Sequence, residues 1–156
     1  MVIRSQHLAG LSGHDGGRQL LGEMYRDVVG APMPPIETDH RGKPGFSAGA
    51  WHFSISHTDR HVFCALADRP VGIDAEEMDR RINPNLAEKI LSPREKQRYL
   101  AAGDPSGALL RLWVMKEAYA KATGRGLGDY LWETDFSPDD PRIQEIDGCY
   151  VAVVEE

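Results

Sequence analysis

Apolar side chains recur at three- and four-residue intervals along parts of this chain, which is the spacing of one helical face. These stretches predict helices at residues 18–29, 85–90, 93–102 and about 105 or 106 to 122. The third predicted helix begins with a capping box, in which Ser92 is the N-cap, Pro93 is the first helical residue and Glu95 lies three residues after the cap. Gly124 follows the fourth and longest helix and marks its end.

Alternation of polar and apolar residues predicts strands elsewhere in the chain. The predicted strands are residues 51–56, 61–67, 71 to 74 or 76, and 150–154. The first two are separated by a short turn at residues 58–60 and therefore predict a hairpin. Residues 36–49 are rich in turn-forming types, and residues 1–17 are expected to form a loosely structured start or a short strand.

Composition indicates one ordinary domain spanning residues 1–156. The chain is 41% hydrophobic and 27% charged, which is enough apolar material for a core. No stretch approaches the roughly 18 apolar residues that cross a bilayer, so we expect a cytoplasmic protein that does not associate with membranes. Cys64 and Cys149 lie in apolar, strand-like runs, which favours buried thiols over a disulfide.

The net charge of −6 argues against nonspecific binding to nucleic acid, because neutralising a phosphate backbone requires surplus Lys and Arg. A local basic segment at residues 80–98 contains six cations: Arg80, Arg81, Lys89, Arg94, Lys96 and Arg98. This segment is either a surface for a nucleotide or another anionic partner, or a solvated helix face with intrahelical ion pairs. The sequence leaves both interpretations open.

Two acidic patterns point to a metal site. Residues two apart in a strand share a face, so Asp74 and Glu76 present two carboxylates side by side. On the long helix, Trp113, Glu117 and Lys121 recur at every fourth position and also share a face. Three carboxylates in an open site suit Mg²⁺, which completes its shell with water and phosphate oxygens. The alternative is a polar strand end and an exposed Glu–Lys pair.

Three motifs, taken in order, resemble the Sfp-type phosphopantetheinyl transferases. They are Phe-Ser-Ile-Ser-His-Thr at residues 53–58, Val-Gly-Ile-Asp-Ala-Glu at 71–76 and Trp-Val-Met-Lys-Glu-Ala-Tyr-Ala-Lys at 113–121, with Gly-Lys-Pro upstream at 42–44. The likeness covers roughly residues 40–127. It implies an α+β fold of antiparallel strands packed with a long helix. The fold would consist of two similar halves related by a pseudo-twofold axis, in a shortened form. The reduced N-terminal half would span about residues 18–70, and the C-terminal half, with the metal site, about residues 71–156.

The resemblance also implies an activity and a set of site residues. Such enzymes move the 4′-phosphopantetheine arm of coenzyme A to a serine of an apo acyl, peptidyl or aryl carrier protein and release adenosine 3′,5′-bisphosphate. Glu117, or a water on the metal, would take the serine proton, and Lys121 would meet the phosphates. The other implied roles are Mg²⁺ ligation by Asp74, Glu76 and Glu117, contact with the nucleotide by Lys43, Ser56, His57 and Thr58, and a further acid near the metal, Glu95.

Two other functions remain open from the sequence. One is a noncatalytic module that binds coenzyme A or a carrier protein and derives from such an enzyme. The other is a metal-dependent nuclease, although a nuclease usually sets its acids on adjacent strands and carries a basic surface. The resemblance favours a trimmed monomer with two halves, and an oligomer is conceivable.

Overall fold

The computed structural model describes residues 1–126 and 128–156, so Leu127, where the resemblance ends, lies outside the described residues. The described chain confirms the α+β class and forms antiparallel sheets packed with helices. The strands are β1 (Val2–His7), β2 (Ile36–Thr38), β3 (Pro44–Phe46), β4 (His52–His57), β5 (His61–Ala67), β6 (Val71–Glu77), β7 (Ile143–Ile146) and β8 (Cys149–Glu155). The helices are α1 (Gly13–Val29), α2 (Leu86–Ile90), α3 (Pro93–Ala101) and α4 (Pro105–Thr123), with a 3₁₀ turn at Asp129–Glu133.

The same strand order recurs in two three-stranded sheets. The first sheet has the order β1-β5-β4 and the second has the order β6-β8-β7. In each sheet, the strand that comes last in sequence lies in the centre and pairs with both other strands: β5 pairs with β1 and β4, and β8 pairs with β6 and β7. Each sheet packs one helix, α1 on the first and α4 on the second. A separate small hairpin, β2–β3, precedes β4.

The two sheets share an apolar layer because alternate residues of their strands point toward each other. Phe63 and Ala65 of β5 pack with Ile73 and Ala75 of β6, and all four are buried. The residues between them point outward, so Asp74 lies on the α4 side of β6. The expectation that Ile73 and Ala75 face inward is therefore confirmed.

Serine hydroxyls of β4 satisfy the backbone of β6 where the two sheets meet. The amide of Ile73 donates to Ser54 Oγ at 3.1 Å, and the amide of Ala75 donates to Ser56 Oγ at 3.2 Å. These hydroxyls occupy donors that a buried strand edge would otherwise leave unpaired. They also set the distance between β4 and the acidic end of β6.

Gly72 lets α4 approach β6 closely. A Cβ atom there would lie 2.0 Å from the Ala118 carbonyl oxygen and 2.4 Å from the Ala122 amide nitrogen. Both atoms belong to the helix backbone and cannot swing aside. This contact holds the face of α4 that carries Glu117 and Lys121 against the acidic strand.

Gly72→Ala is therefore expected to destabilise the protein by about 1–3 kcal/mol or more, because the helix must shift to admit the methyl group. Gly22→Ala on α1 is the matched control, since a Cβ there meets nothing within 4 Å. The control is expected to stabilise by about 0.4–1 kcal/mol. Urea unfolding measures the free energy of unfolding of both variants. Equal stability of the two would show that the close approach of α4 at Gly72 does not contribute to stability.

Several predicted boundaries were wrong. Helix α1 begins at Gly13, five residues before the predicted start, because Ser12 caps it by accepting a hydrogen bond from the Asp15 amide at 3.0 Å. Residues 2–7 form a short strand, which is one of the two expectations for the start of the chain, and the turn-rich segment contains the β2–β3 hairpin, which was not predicted. Strand β7 was missed, since its four residues carry weak alternation and depend on pairing with β8.

Cys64 and Cys149 are buried free thiols, as predicted. None of the helices in the described residues is long and apolar enough to span a membrane.

Candidate active site between a strand end and the long helix

A cleft of about 330 Å³ opens where the end of β6 faces α4. The three acids predicted from the sequence line this cleft together with the predicted lysine. Its lining residues are Ile55, Ser56, His57, Asp74, Glu76, Trp113, Glu117 and Lys121. Strand alternation and helical spacing group the residues within each element, and the packing of α4 on β6 brings the two acidic patterns to one place.

Asp74 is the most enclosed acid of the cleft and is held by two donors. Lys121 Nζ lies 2.7 Å from Asp74 Oδ1 and also donates to the Ile73 carbonyl at 3.0 Å. Ser56 Oγ donates to the same carboxylate oxygen at 3.0 Å. Burial raises the pKa of Asp74, and the charge and hydrogen bond of Lys121 oppose that rise. Ser56 and Lys121 thus fix the orientation of the carboxylate.

Glu117 lies on α4 opposite Asp74. Burial, followed by the negative charge of Asp74 and then of Glu76, raises the pKa of Glu117 to about 7, while Lys121 acts in the opposite direction. The carboxylates therefore repel one another more than the nearby lysine compensates. A cation between them would remove that repulsion. The observation that makes the cleft fit a metal ion is that three carboxylates line one open cleft.

Glu76 stands at the outer edge of the cleft and has partners on both sides. Trp113 Nε1 donates to Glu76 Oε1 at 3.3 Å, and Arg80 forms an ion pair with the same carboxylate. The metal-ligand atoms that the three acids offer are carboxylate oxygens, and the cleft is open on one side. Such a set suits Mg²⁺ better than softer ions that prefer nitrogen or sulfur ligands.

His57 and Thr58 are neighbours in the chain but face different surroundings. The His57 side chain is exposed at the cleft, and its ring packs so closely on Gly13 that a Cβ there would lie 2.3 Å from it. Thr58 is buried, and its hydroxyl donates to Glu77 Oε1 at 2.6 Å. Of these two residues, only His57 lines the acidic cleft. Thr58 instead holds Glu77, the last residue of β6.

Lys43 lies beside a second cavity of about 460 Å³ that shares Glu117 and Lys121 with the acidic cleft. Its ammonium donates to the carbonyl oxygens of Lys121 and Ala122 near the end of α4. Arg41 from the same loop donates to the Gly124 carbonyl at 2.8 Å. These cations satisfy the free carbonyls of the helix end and anchor the loop there. The sequence carried no signal for this cavity, because residues about 80 positions apart line it.

Glu95 is not among the residues that line the cleft, and its carboxylate is engaged elsewhere, which argues against the expectation of a further acid at the metal. Its side chain is fully buried and forms an ion pair with fully buried Lys116, with 2.7 Å between Oε2 and Nζ. It also accepts hydrogen bonds from the amide of Ser92, as the predicted capping box requires, and from the amide of Phe136. Glu95 therefore ties α3 to α4 and to the chain after the 3₁₀ turn.

Most of the basic segment at residues 80–98 is engaged within the chain. Arg94 and Arg98 both pair with Asp135, and Lys96 pairs with Glu88. These contacts favour the interpretation as a solvated, ion-paired surface.

Comparison with known proteins matches this site to a family. Residues 70–149 match the model of the 4′-phosphopantetheinyl transferase superfamily, a span that contains the β6 acids and α4. The 4′-phosphopantetheinyl transferase psf-1 of Bacillus pumilus is 37% identical over 123 residues, covering 72% of this chain and 52% of the relative. The transferase Sfp of Bacillus subtilis is 33% identical over 123 residues, covering 72% and 54%.

A holo-[acyl-carrier-protein] synthase of Thiobacillus denitrificans is 47% identical over 47 residues, covering 30% of this chain and 36% of the relative. The chain spans about half the length of the longer curated relatives that it matches. The family model covers half of the chain and includes Asp74, Glu76, Glu117 and Lys121. The chain therefore belongs to the 4′-phosphopantetheinyl transferase superfamily.

Proposed function

We propose that this protein transfers the 4′-phosphopantetheine arm of coenzyme A to a serine of an apo carrier protein in a magnesium-dependent reaction. The observation that carries the proposal is the convergence of Asp74, Glu76 and Glu117 with Lys121 in one cleft. The names of the relatives support the reaction type. A cytoplasmic location, a monomeric state and a carrier of the acyl or peptidyl kind belong to the same proposal.

Asp74, Glu76 and Glu117 would hold the magnesium ion. When bound there, Mg²⁺ would supply positive charge to the pyrophosphate of coenzyme A. Lys121 holds Asp74 by a 2.7 Å contact and lies between the acidic cleft and the neighbouring cavity. This position supports the proposal that its ammonium would meet a phosphate oxygen as negative charge develops on the leaving group.

Glu117 would accept the proton of the acceptor serine. Burial and the nearby acids raise its pKa to about 7 in the metal-free cleft. With the cation bound, Glu117 would be ionised and an oxygen of its carboxylate could accept the serine proton. The serine oxygen then forms a bond to the β-phosphorus, and the bond from that phosphorus to the bridging oxygen breaks. Adenosine 3′,5′-bisphosphate leaves with the bonding electron pair, so atoms and charges balance.

Coenzyme A would lie across the acidic cleft and the adjoining cavity beside Lys43. That cavity combines apolar lining from Phe53 and Ile55 with the cations Lys43 and Lys121, a mixture that suits a nucleotide. The proposed nucleotide contacts differ in kind. His57 would act directly, whereas Ser56 would act through Asp74 and Thr58 through Glu77.

Incubation with coenzyme A, Mg²⁺ and a panel of apo carrier proteins tests the function, with intact mass spectrometry as the readout. We expect the mass of one phosphopantetheine arm to be added to a carrier. A carrier with alanine in place of its acceptor serine and a reaction containing EDTA are the controls. Tight coenzyme A binding without transfer to any carrier in the panel would favour the noncatalytic binding module instead.

His57→Ala is expected to raise the Michaelis constant for coenzyme A by roughly 10–100-fold, as the loss of one charge-assisted phosphate contact implies. With dephospho-coenzyme A, the effect should be much smaller if His57 meets the 3′-phosphate. His52 is exposed at the opposite end of β4, so His52→Ala is the matched control. It should change the Michaelis constant for neither coenzyme A nor dephospho-coenzyme A. An equal loss with both substrates would contradict the contact.

A further inference from the structure

A second group of potential ligands lies where the two sheets meet, outside the acidic cleft. A ring nitrogen of His61, a carboxylate oxygen of Glu77 and Sγ of Cys149 all lie within 4.8 Å of one another. His61 begins β5 in the first sheet, whereas Glu77 ends β6 and Cys149 begins β8 in the second. Glu77 and Cys149 are direct cross-strand partners, which places their side chains on the same face.

The His61 ring has an unused nitrogen pointed at this group. Its Nδ1 atom is buried and is the one side-chain nitrogen or oxygen of that kind without a hydrogen-bond partner among the residues that the structure describes. The nearest carboxylate oxygen, Glu77 Oε1, lies 4.0 Å away, too far for a hydrogen bond. A buried polar atom without a partner costs free energy and calls for an explanation such as an ion. A lone pair at this position is well suited to a metal.

We propose that His61, Glu77 and Cys149 form a binding site for a borderline-soft divalent ion, Zn²⁺ in the first instance, that joins the two sheets. Thiolate, imidazole and carboxylate are the ligands that Zn²⁺ uses in proteins, and sulfur excludes Mg²⁺ and Ca²⁺. One thiolate and one carboxylate supply two negative charges to the dication, and Asp79 shares Arg60 with Glu77. Binding displaces the thiol proton of Cys149 to solvent as the sulfur–metal bond forms.

The surroundings already hold the ligands in place. Arg60 pairs with the other oxygen of Glu77, and Thr58 Oγ1 donates to Oε1 at 2.6 Å, so the carboxylate is oriented before any ion arrives. The ring of His7 packs edge-on against that of His61 at 5.2 Å. An open cleft of about 650 Å³ is lined by Glu77, Thr58 and Arg60, so one of the three ligands borders a solvent-filled space.

The ligand atoms need only a small inward shift. Zinc–nitrogen and zinc–sulfur distances of about 2.0–2.3 Å place tetrahedral ligands roughly 3.5 Å apart, compared with the present limit of 4.8 Å. The His61 side chain is 17% exposed, so one edge of the ring borders solvent. Burial, followed by the charge of Glu77, raises the pKa of Cys149 to about 12, so this residue is a thiol in the metal-free protein. The site therefore forms only when an ion replaces that proton.

Titration of the reduced, metal-free full chain with Co²⁺ tests the site. We expect a near-ultraviolet thiolate-to-Co²⁺ charge-transfer absorption that saturates at one ion per chain and disappears when Zn²⁺ is added. Cys149→Ala should abolish this absorption. Cys64→Ala is the matched control, because Cys64 is equally buried but packs in a different apolar cluster, and it should leave the absorption unchanged.

Two further variants separate this site from the acidic cleft and guard against misfolding. His61→Ala, at a strand end, should weaken Co²⁺ binding roughly tenfold or more even if Cys149→Ala does not fold. Glu117→Gln should retain the thiolate absorption, since the lining residues described for the acidic cleft include no sulfur. The inference does not rest on the proposed transferase activity. Absence of a thiolate absorption in the unaltered chain, or its persistence in Cys149→Ala, would overturn it.

Discussion

Replacing Glu117 with glutamine is expected to lower the turnover number for carrier modification by roughly 10²–10⁴-fold. This is the usual contribution of a general base, and the isosteric amide cannot take the serine proton. Glutamine also removes one of the three carboxylates that would hold the metal, which moves the loss toward the upper end of that range. The shape of the cleft should be preserved, because the two side chains have nearly the same size.

Initial rates of carrier modification, followed by intact mass at saturating coenzyme A, carrier and Mg²⁺, measure this effect. Glu133→Gln is the matched control, because Glu133 is an exposed glutamate outside the cleft lining. In the metal-free protein near neutral pH, Glu117→Gln should be at least as stable as the unaltered chain, because glutamine removes the repulsion from Asp74 and Glu76, so a rate loss is not a folding loss. A Glu117→Gln rate within a few-fold of the unaltered chain would remove Glu117 from both assigned roles.

Lys116→Met is expected to lower the free energy of unfolding by about 3–5 kcal/mol. Lys116 and Glu95 are both fully buried and pair at 2.7 Å. Removing the ammonium therefore leaves a buried carboxylate without its partner charge. Lys116 also donates to the Leu131 carbonyl at 2.5 Å, which would lose that partner. Lys89→Met, at an exposed lysine of α2, should change stability by no more than about 0.5 kcal/mol.

The double variant Glu95→Gln with Lys116→Met completes a thermodynamic cycle. Because it removes both charges, it should be less destabilised than the sum of the two single variants, and urea unfolding measures the coupling. Glu95→Gln also distinguishes a structural role from a role at the metal. At a temperature where this variant is folded, it should retain carrier modification. Loss of activity in the folded variant would instead restore Glu95 to the metal site.

The sequence predicted each of the two groups of residues that line the acidic cleft. Alternation along β6 placed Asp74 and Glu76 together, and four-residue spacing placed Glu117 and Lys121 on one face of α4. Both patterns are local, because backbone geometry alone determines which side chains of a strand or helix share a face. Helix α3 was predictable for the same reason, since its capping box lies within four consecutive residues.

Other roles depended on neighbours that are distant in the chain. Ser56 supports Asp74, and Lys43 anchors a loop to the end of α4. Glu95 fits the motif of a metal acid in sequence, yet its side chain meets Lys116 in the interior. Strand β1 lacked a clear local pattern and is ordered by pairing with β5, about sixty residues later.

The sequence by itself therefore determined which residue types face the same way within each element, because that follows from the periodicity of the backbone. Only the tertiary structure decided which faces meet. The close approach of α4 at Gly72 brings Glu117 to Asp74, and the contact between the sheets brings His61 to Glu77 and Cys149. Such meetings depend on packing between elements far apart in the chain, and no local pattern encodes them.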